Sequence, residues 1–218
     1  MTKKTFIFDL DGVIVDTAKY HYLAWKNLAH SIGIDFSEAQ NEQLKGVSRI
    51  KSLEKILTWG NKEISEERFQ SLMSKKNDEY LSYISKMDAS EILPDVEKTL
   101  DFLTSKHQNI ALGSASKNAK PILEKVNLLN KFQVIVDGNE VTKAKPDPEV
   151  FLKGAEALNS STKDCIVFED SVSGVEAANR AGMTSIGIGS KNVLGHAAFV
   201  FNNFTEISED FLNDLISN

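Results

Sequence analysis

From Pro94 onward, short apolar runs alternate with amphipathic stretches of helical period, and this alternation constrains the fold more than any other feature. The runs are IALGS (110–114), QVIVD (133–137), CIVFED (165–170) and SIGIG (185–189), with a shorter one, AAFVF, at 197–201. Helices are predicted over 95–106, 119–127, 148–158, 172–181 and 208–216. Strands separated by helices pair in parallel through crossovers of one hand. The predicted core is therefore α/β, a doubly wound, Rossmann-like parallel sheet. Such sheets bind ligands beyond the carboxyl ends of their strands, where the strand order reverses.

The first strand stands apart from the others. FIFDLDGV (6–13) is an apolar run that ends in acids. After Asp16-Thr17 the period changes, and Tyr22, Trp25, Leu28, Ala29 and Ile32 recur at helical spacing over 18–32. Helical segments follow over 37–45, 49–59 and 65–85, with no strand signal and no proline before Pro94. The expected organisation is an α/β core of residues 1–15 and 90–218 with an all-helical domain, 16–89, inserted after the first strand. Short linkers are expected near 14–17 and 86–94.

Composition narrows the function classes. With 41% hydrophobic and 26% charged residues the chain is ordinary for a globular protein, and no stretch approaches the roughly 18 apolar residues of a membrane span. The basic start MTKK leads into too short an apolar run for an export signal, so a cytoplasmic protein with no membrane partner is expected. A single cysteine, Cys165, excludes an internal disulfide framework and a cysteine-built zinc site, and reads as a core thiol. A net charge of −6 argues against a nucleic-acid partner. It leaves room for a small anion held by local lysines and arginines in a cleft.

Chemistry-bearing residues cluster at the predicted strand ends. Asp9 and Asp11 are separated by one residue, and strand alternation sends both to one side. One carboxylate can attack phosphorus to form an aspartyl phosphate while the other handles a proton. A strand-end pair can also simply cap the next turn. Glu169-Asp170 closes CIVFED; with Asp9 and the backbone carbonyl of Asp11 it makes the oxygen-rich shell that magnesium prefers. Alone, it could serve only the start of the next helix, in which Gly174 permits close approach. Ser114 and Ser116 in GSASKN (113–118) suit a phosphate or act as caps. Lys145, before Pro146 in KAKPDP, is either a solvated lysine or a point charge between an acyl phosphate and a carboxylate.

In this order on one sheet, the strand-end DxD, strand-end Ser, Lys-Pro and strand-end Glu-Asp resemble the haloacid dehalogenase superfamily, over the whole chain. The resemblance implies phosphoryl transfer through an aspartyl intermediate and makes the helical insertion a cap domain. LKGVSR (44–49), HYLAWK from His21, Lys76-Asn77 and GSASKN are similar to the branch of that superfamily that isomerises hexose phosphates. That branch implies interconversion of β-D-glucose 1-phosphate and D-glucose 6-phosphate, with Mg2+ as cofactor and β-glucose 1,6-bisphosphate as intermediate and activator. By the same resemblance Asp9 is the nucleophile and Asp11 the general acid/base, with Thr17 and His21 positioning Asp11 as the cap closes. Arg49, Ser116, Lys117 and Asn118 hold the non-transferring phosphate. Ser114 and Lys145 hold the transferring one, beside a magnesium ion on Asp9, Asp11, Glu169 and Asp170. Lys76 and Gly46-Val47 face the sugar; Trp25 and Ser52 complete the substrate-binding set, Trp25 also being a candidate for the cap core. The expected partners are small-molecule sugar phosphates, bound by a monomer. Two competing outcomes share parts of the pattern. A sugar-phosphate phosphatase passes the phosphoryl group to water, and a phospho-aspartate receiver module leaves the helical insertion unexplained.

Overall fold

The computed structural model describes residues 3–217; Met1, Thr2 and Asn218, the outermost residues of the expected core, lie outside that range. The sheet contains β1 Thr5–Phe8, β2 Asn109–Gly113, β3 Val134–Val136, β4 Cys165–Glu169, β5 Thr184–Ile188 and β6 Phe199–Phe201. All pairs are parallel, in the order β3-β2-β1-β4-β5-β6. The order reverses at β1, which lies between β2 and β4, and Phe8 is level with Leu112 on one side and Phe168 on the other. The residues that follow these three therefore emerge side by side at one edge.

Helices cover both faces of the sheet, so β1 is buried at every residue and reads as a continuous apolar run. Phe6 and Phe8 enter one cluster with Leu112 and Phe168, and Ile7 enters the other with Phe151 and Val167. The rings of Phe8 and Phe168 stack at 4.6 Å.

Four helices follow β1 without an intervening strand: α1 Ala18–Ser31, α2 Glu38–Glu42, α3 Arg49–Trp59 and α4 Glu66–Ile84. They enclose an apolar cluster of their own around Trp25, Leu28, Leu53, Ile56 and Leu72. Serines fix three of the starts: Ser37, Ser48 and Ser65 accept from the backbone N–H groups of Gln40, Lys51 and Arg68. The two connections to the sheet run together. Val15 bridges Ile92 in antiparallel fashion, Leu93 N–H donates to Ile14 O at 3.0 Å, and Asp16 N–H donates to Glu91 O at 2.9 Å. The remaining helices are α5 Val96–Ser105, α6 Ala119–Lys125, α7 Glu149–Ala157, α8 Val172–Arg180, α9 Lys191–Leu194 and α10 Glu209–Ser217.

The structure departs from the sequence expectation in places. β1 ends at Phe8, so Asp11 stands in a turn through Gly12 (φ 80°), and strand alternation does not govern it. The helix expected over 37–45 stops at Glu42, and the chain turns through Gly46 (φ 69°) toward α3. Gln133 lies just before β3: its N–H donates to Ile110 O at 2.9 Å, and its side-chain carbonyl accepts from Ile110 N–H at 2.5 Å. AAFVF supplies β6, and α9 is a short helix that the sequence pattern did not signal. No helix among the described residues is long and apolar enough to cross a membrane.

Candidate active site

A cavity of about 1040 Å3 lies between the helical insertion and the carboxyl ends of β1, β2 and β4, with Asp9 and Asp11 among its lining residues. On the sheet side, Lys145 is the hub. Its ammonium donates to Asp9 Oδ1 at 2.5 Å, Glu169 Oε1 at 2.6 Å and Gly113 O at 3.1 Å, which matches three acceptors to its three protons. The Lys145–Pro146 peptide bond is cis. Lys145 is 2% exposed; burial opposes its charge, but Asp9 and Glu169 outweigh burial and hold its pKa above the usual lysine range. The solvated-lysine alternative is thereby excluded.

The acids around Lys145 are under electrostatic pressure. Burial raises Asp9 well above the ordinary carboxylate range, against the pull of Lys145. Asp170 is pushed up to about 7, first by burial and then by Glu169. Glu169 is fully buried and sits outside the cavity lining; its second oxygen accepts from Ser171 N–H at 2.7 Å and Ser171 Oγ at 2.9 Å. Gly174 makes this seat possible: a Cβ there would stand 1.8 Å from Glu169 Oε1. No group of three or more acidic, histidine or cysteine side chains among the described residues forms a ready-made metal cage. The donor chemistry nevertheless fits a hard divalent cation, since Asp9 and Asp170 are buried carboxylates whose charge Lys145 and Lys45 only partly offset.

Beyond β2 the chain forms a polar turn. Ser114 Oγ accepts from Ser116 N–H at 3.0 Å, and Ser116 Oγ accepts from Asn118 N–H at 3.2 Å. Ser114, Ser116, Lys117 and Asn118 all line the cavity. Asn118 Nδ2 donates to Asn77 Oδ1 of α4 at 3.4 Å, which ties this turn to the helical insertion.

The helical insertion supplies the opposite wall. Gly46, Val47, Arg49, Ser52 and Lys76 line it, with Trp25 and His21. Lys76 is only 2% exposed because it continues the inward stripe of α4, Leu72–Lys76–Tyr80–Ile84, one residue per turn. Its neighbour Lys75 is exposed, so the charged run is a solvated face at one position and a buried cation at the next. Burial, then Arg49, brings Lys76 down to about 7. Its ammonium lies 2.8 Å from His21 Nδ1 and faces the Trp25 ring at 4.9 Å. Trp25, 3% exposed within the cap cluster, supports Lys76 and presents no open stacking face.

Asp11 joins the two walls. Thr17 Oγ1, fully buried and outside the cavity lining, donates to Asp11 Oδ1, and His21 Nε2 is 3.7 Å from the same oxygen. Burial raises the Asp11 pKa, against the Thr17 hydrogen bond. Burial, with Lys76 and Arg49, holds His21 well below its ordinary value. A neutral imidazole that accepts from Lys76 at Nδ1 carries its proton at Nε2, toward Asp11.

Sequence reasoning left out two contributors. Lys45 Nζ lies 3.3 Å from Asp170 Oδ2, and Lys45 O accepts from Ser173 Oγ at 3.1 Å, which fastens the insertion loop to α8. Its position inside LKGVSR was the available signal. Tyr80, one turn beyond Lys76, stacks on His21 at 4.1 Å; only the spacing along α4 pointed to it.

The comparisons with known proteins agree with this geometry. Residues 3–182 match the family model of haloacid dehalogenase-like hydrolases. The chain is 40% identical over 213 residues to β-phosphoglucomutase of Bacillus subtilis (strain 168), covering 97% of this chain and 94% of that protein. A crystal structure of β-phosphoglucomutase from Clostridium difficile superposes with a TM-score of 0.94 at 40% identity, over 99% of this chain and 98% of the other. A phosphorylated carbohydrates phosphatase of Thermotoga maritima is 32% identical over 182 residues, 83% of this chain and 82% of that protein. Likeness of this extent, on a sheet edge that carries the acids and the lysine side by side, makes the chain a member of the haloacid dehalogenase-like hydrolase family, within its β-phosphoglucomutase group.

Proposed function

We propose that the chain is an isomerase that interconverts β-D-glucose 1-phosphate and D-glucose 6-phosphate through a phosphorylated Asp9 and β-glucose 1,6-bisphosphate. One observation carries this reading beyond the family's common chemistry: Arg49, Ser52 and Lys76 of the helical insertion share one cavity with Asp9, Asp11 and the Ser114–Asn118 turn. A substrate with phosphate at either end finds cationic and hydroxyl groups at both walls. The β-phosphoglucomutase relatives support the same substrate pair.

In the first half of the cycle, the 6-hydroxyl of the bound sugar attacks the phosphorus held on Asp9. Its proton passes to Asp11, the bond to the Asp9 oxygen breaks, and a bisphosphate results. After the bisphosphate turns around, Asp9 attacks the other phosphorus, and Asp11 returns the proton to the departing 1-oxygen. Thr17 and His21 orient Asp11 for both transfers, and Lys145 offsets charge at Asp9. Arg49, Ser116, Lys117 and Asn118 hold the phosphate that is not reacting, while Lys76, Gly46 and Val47 bound the sugar. Asp9, Asp170 and the backbone carbonyl of Asp11 would hold magnesium; Glu169, first counted among the donors, has its oxygens engaged by Lys145 and Ser171 and would act on the site through Lys145. When bound, the ion supplies the positive charge that lets an anionic carboxylate approach an anionic phosphate. Closure of the helical insertion keeps water from the acyl phosphate. The working form is taken to be a cytoplasmic monomer that acts on small sugar phosphates.

The phosphatase relative favours a second reading, in which water takes the phosphoryl group from Asp9. A product assay separates the two. α- and β-glucose 1-phosphate are each supplied with magnesium, with and without glucose 1,6-bisphosphate. Expected are glucose 6-phosphate from the β anomer, ping-pong kinetics, dependence on the bisphosphate and loss of turnover on chelation. Glucose and free phosphate as the only products would establish the phosphatase reading instead.

A further inference from the structure

The Tyr80 hydroxyl is the one buried side-chain polar atom among the described residues that meets no hydrogen-bond partner. Tyr80 is fully buried on α4, at the junction of the two units, and packs in the main cluster with Val13, Val15, Ala24 and Ile84. Its ring is held from two sides, by the His21 ring at 4.1 Å and by Lys76 Nζ at 4.5 Å. A phenylalanine would make the same contacts without burying an unpaired hydroxyl, which is unfavourable in an apolar setting. The hydroxyl therefore calls for a partner in another state of the catalytic cycle.

Its polar surroundings identify that partner. The His21 ring on which Tyr80 stacks reaches Asp11 Oδ1 at 3.7 Å, and Asp11 and Thr17 are the hydrogen-bonding side chains within reach of the phenol, with the Arg49 charge farther off. Burial, reinforced by Asp11, raises its pKa well above the ordinary tyrosine value, so the phenol keeps its proton and can only donate. Thr17 and His21 both address Oδ1 of Asp11, which leaves Oδ2 for a further donor. Tyr80 does not line the cavity, so it reaches the reaction through Asp11 and does not touch the sugar.

We propose that Tyr80 is a positioning residue for Asp11, its hydroxyl being the donor that α4 brings to the Asp11 carboxylate when the helical insertion seats on substrate. This rests on the assignment of Asp11 as the proton carrier. The transferred proton still moves only between Asp11 and the sugar oxygen, and the phenolic proton stays on Tyr80. Thr17 on the linker and Tyr80 on α4 then address Asp11 from two elements, so the acid is correctly aimed only when both units are in register.

The test compares Tyr80→Phe with the unaltered protein on β-glucose 1-phosphate, with magnesium and glucose 1,6-bisphosphate; glucose 6-phosphate and free phosphate are measured together. Expected for Tyr80→Phe is a roughly tenfold fall in kcat, the scale of one hydrogen bond to a charged group. KM should stay within about twofold, since Tyr80 is outside the cavity, and the melting temperature should be unchanged or raised. In an Asp11→Asn background, Tyr80→Phe should cause no further loss. The proposal is overturned by a kcat within about twofold of the unaltered protein, by a lowered melting temperature accompanying the activity loss, or by an equal loss in the Asp11→Asn background. Asp11 serves transfer to sugar and to water alike, so the ratio between the two proteins tests Tyr80 whichever product forms. The product formed by the unaltered protein judges the assigned reaction.

Discussion

At the scale of single residues, Lys76 shows how burial converts a routine surface lysine into a tuned cation. Its pKa of about 7, set by burial and then by Arg49, has two consequences of opposite sign. The unfolded chain holds the Lys76 proton up to the ordinary lysine value of 10.5. This group's destabilising effect is therefore complete below about pH 7 and relieved as pH rises from there. Sugar-phosphate binding uses the charge, so its contribution fades over the same rise. Lys76→Met is expected to raise KM about tenfold near pH 6, with the ratio to the unaltered protein approaching one near pH 9. Other groups that titrate in this window are carried by both proteins, so the ratio at each pH cancels them. A pH-independent ratio would contradict the assignment. Asp9, Asp11, Ser114 and Asp170 were legible in the sequence because each follows an apolar run that fixes its place at the sheet edge, whereas Lys145, in a loop, was legible only through the Lys-Pro pair in series with them. Tyr80 was not, because a tyrosine in a helical stripe looks the same whether its hydroxyl is solvated, paired or waiting.

At the scale of elements, the linkers matter as much as the helices they join. Glu91 is the clamp: one carboxylate oxygen accepts from Lys19 at 2.6 Å, the other from the Tyr20 hydroxyl at 2.5 Å, and its backbone carbonyl accepts from Asp16. Burial acts to raise the Glu91 pKa, but Lys19 and Tyr20 outweigh it and hold the group below the ordinary glutamate value. A depressed carboxyl pKa stabilises the fold above the unfolded value and loses that contribution as pH falls through the folded one. Glu91→Ala should cost about 1 kcal/mol near neutral pH. This corresponds to a melting temperature lower by roughly 2–4 °C for a chain of this size. The gap between the two proteins, followed by thermal melts, should close as the pH drops below about 4. The helices of the insertion and, apart from the short α9, the order of strands and helices after Pro94 followed from periodicity alone. The clamp did not, since it joins residues some 70 positions apart in a segment that reads only as a linker.

At the scale of the whole molecule, charge is distributed against its own average. The chain carries −6 overall, yet lysines and arginines outnumber acids among the residues around the cavity, with Lys51, Lys143 and Arg180 beside the groups already assigned. Low-dielectric walls focus such a field and draw anions inward. Salt screens it over about 10 Å at 0.1 M. kcat/KM for the sugar phosphate should fall severalfold from about 0.05 M to about 0.5 M salt while kcat holds, and a flat response would exclude steering. The pairing of Val15 with Ile92 has a consequence of another kind. The chain leaves for the helical insertion and returns from it at one place, beside Asp11. The insertion is thus a cassette whose covalent attachment lies at one place. Its text could be exchanged for that of another helical unit, retargeting the chemistry to a different phosphorylated metabolite, with the sheet that performs the phosphoryl transfer left as it is.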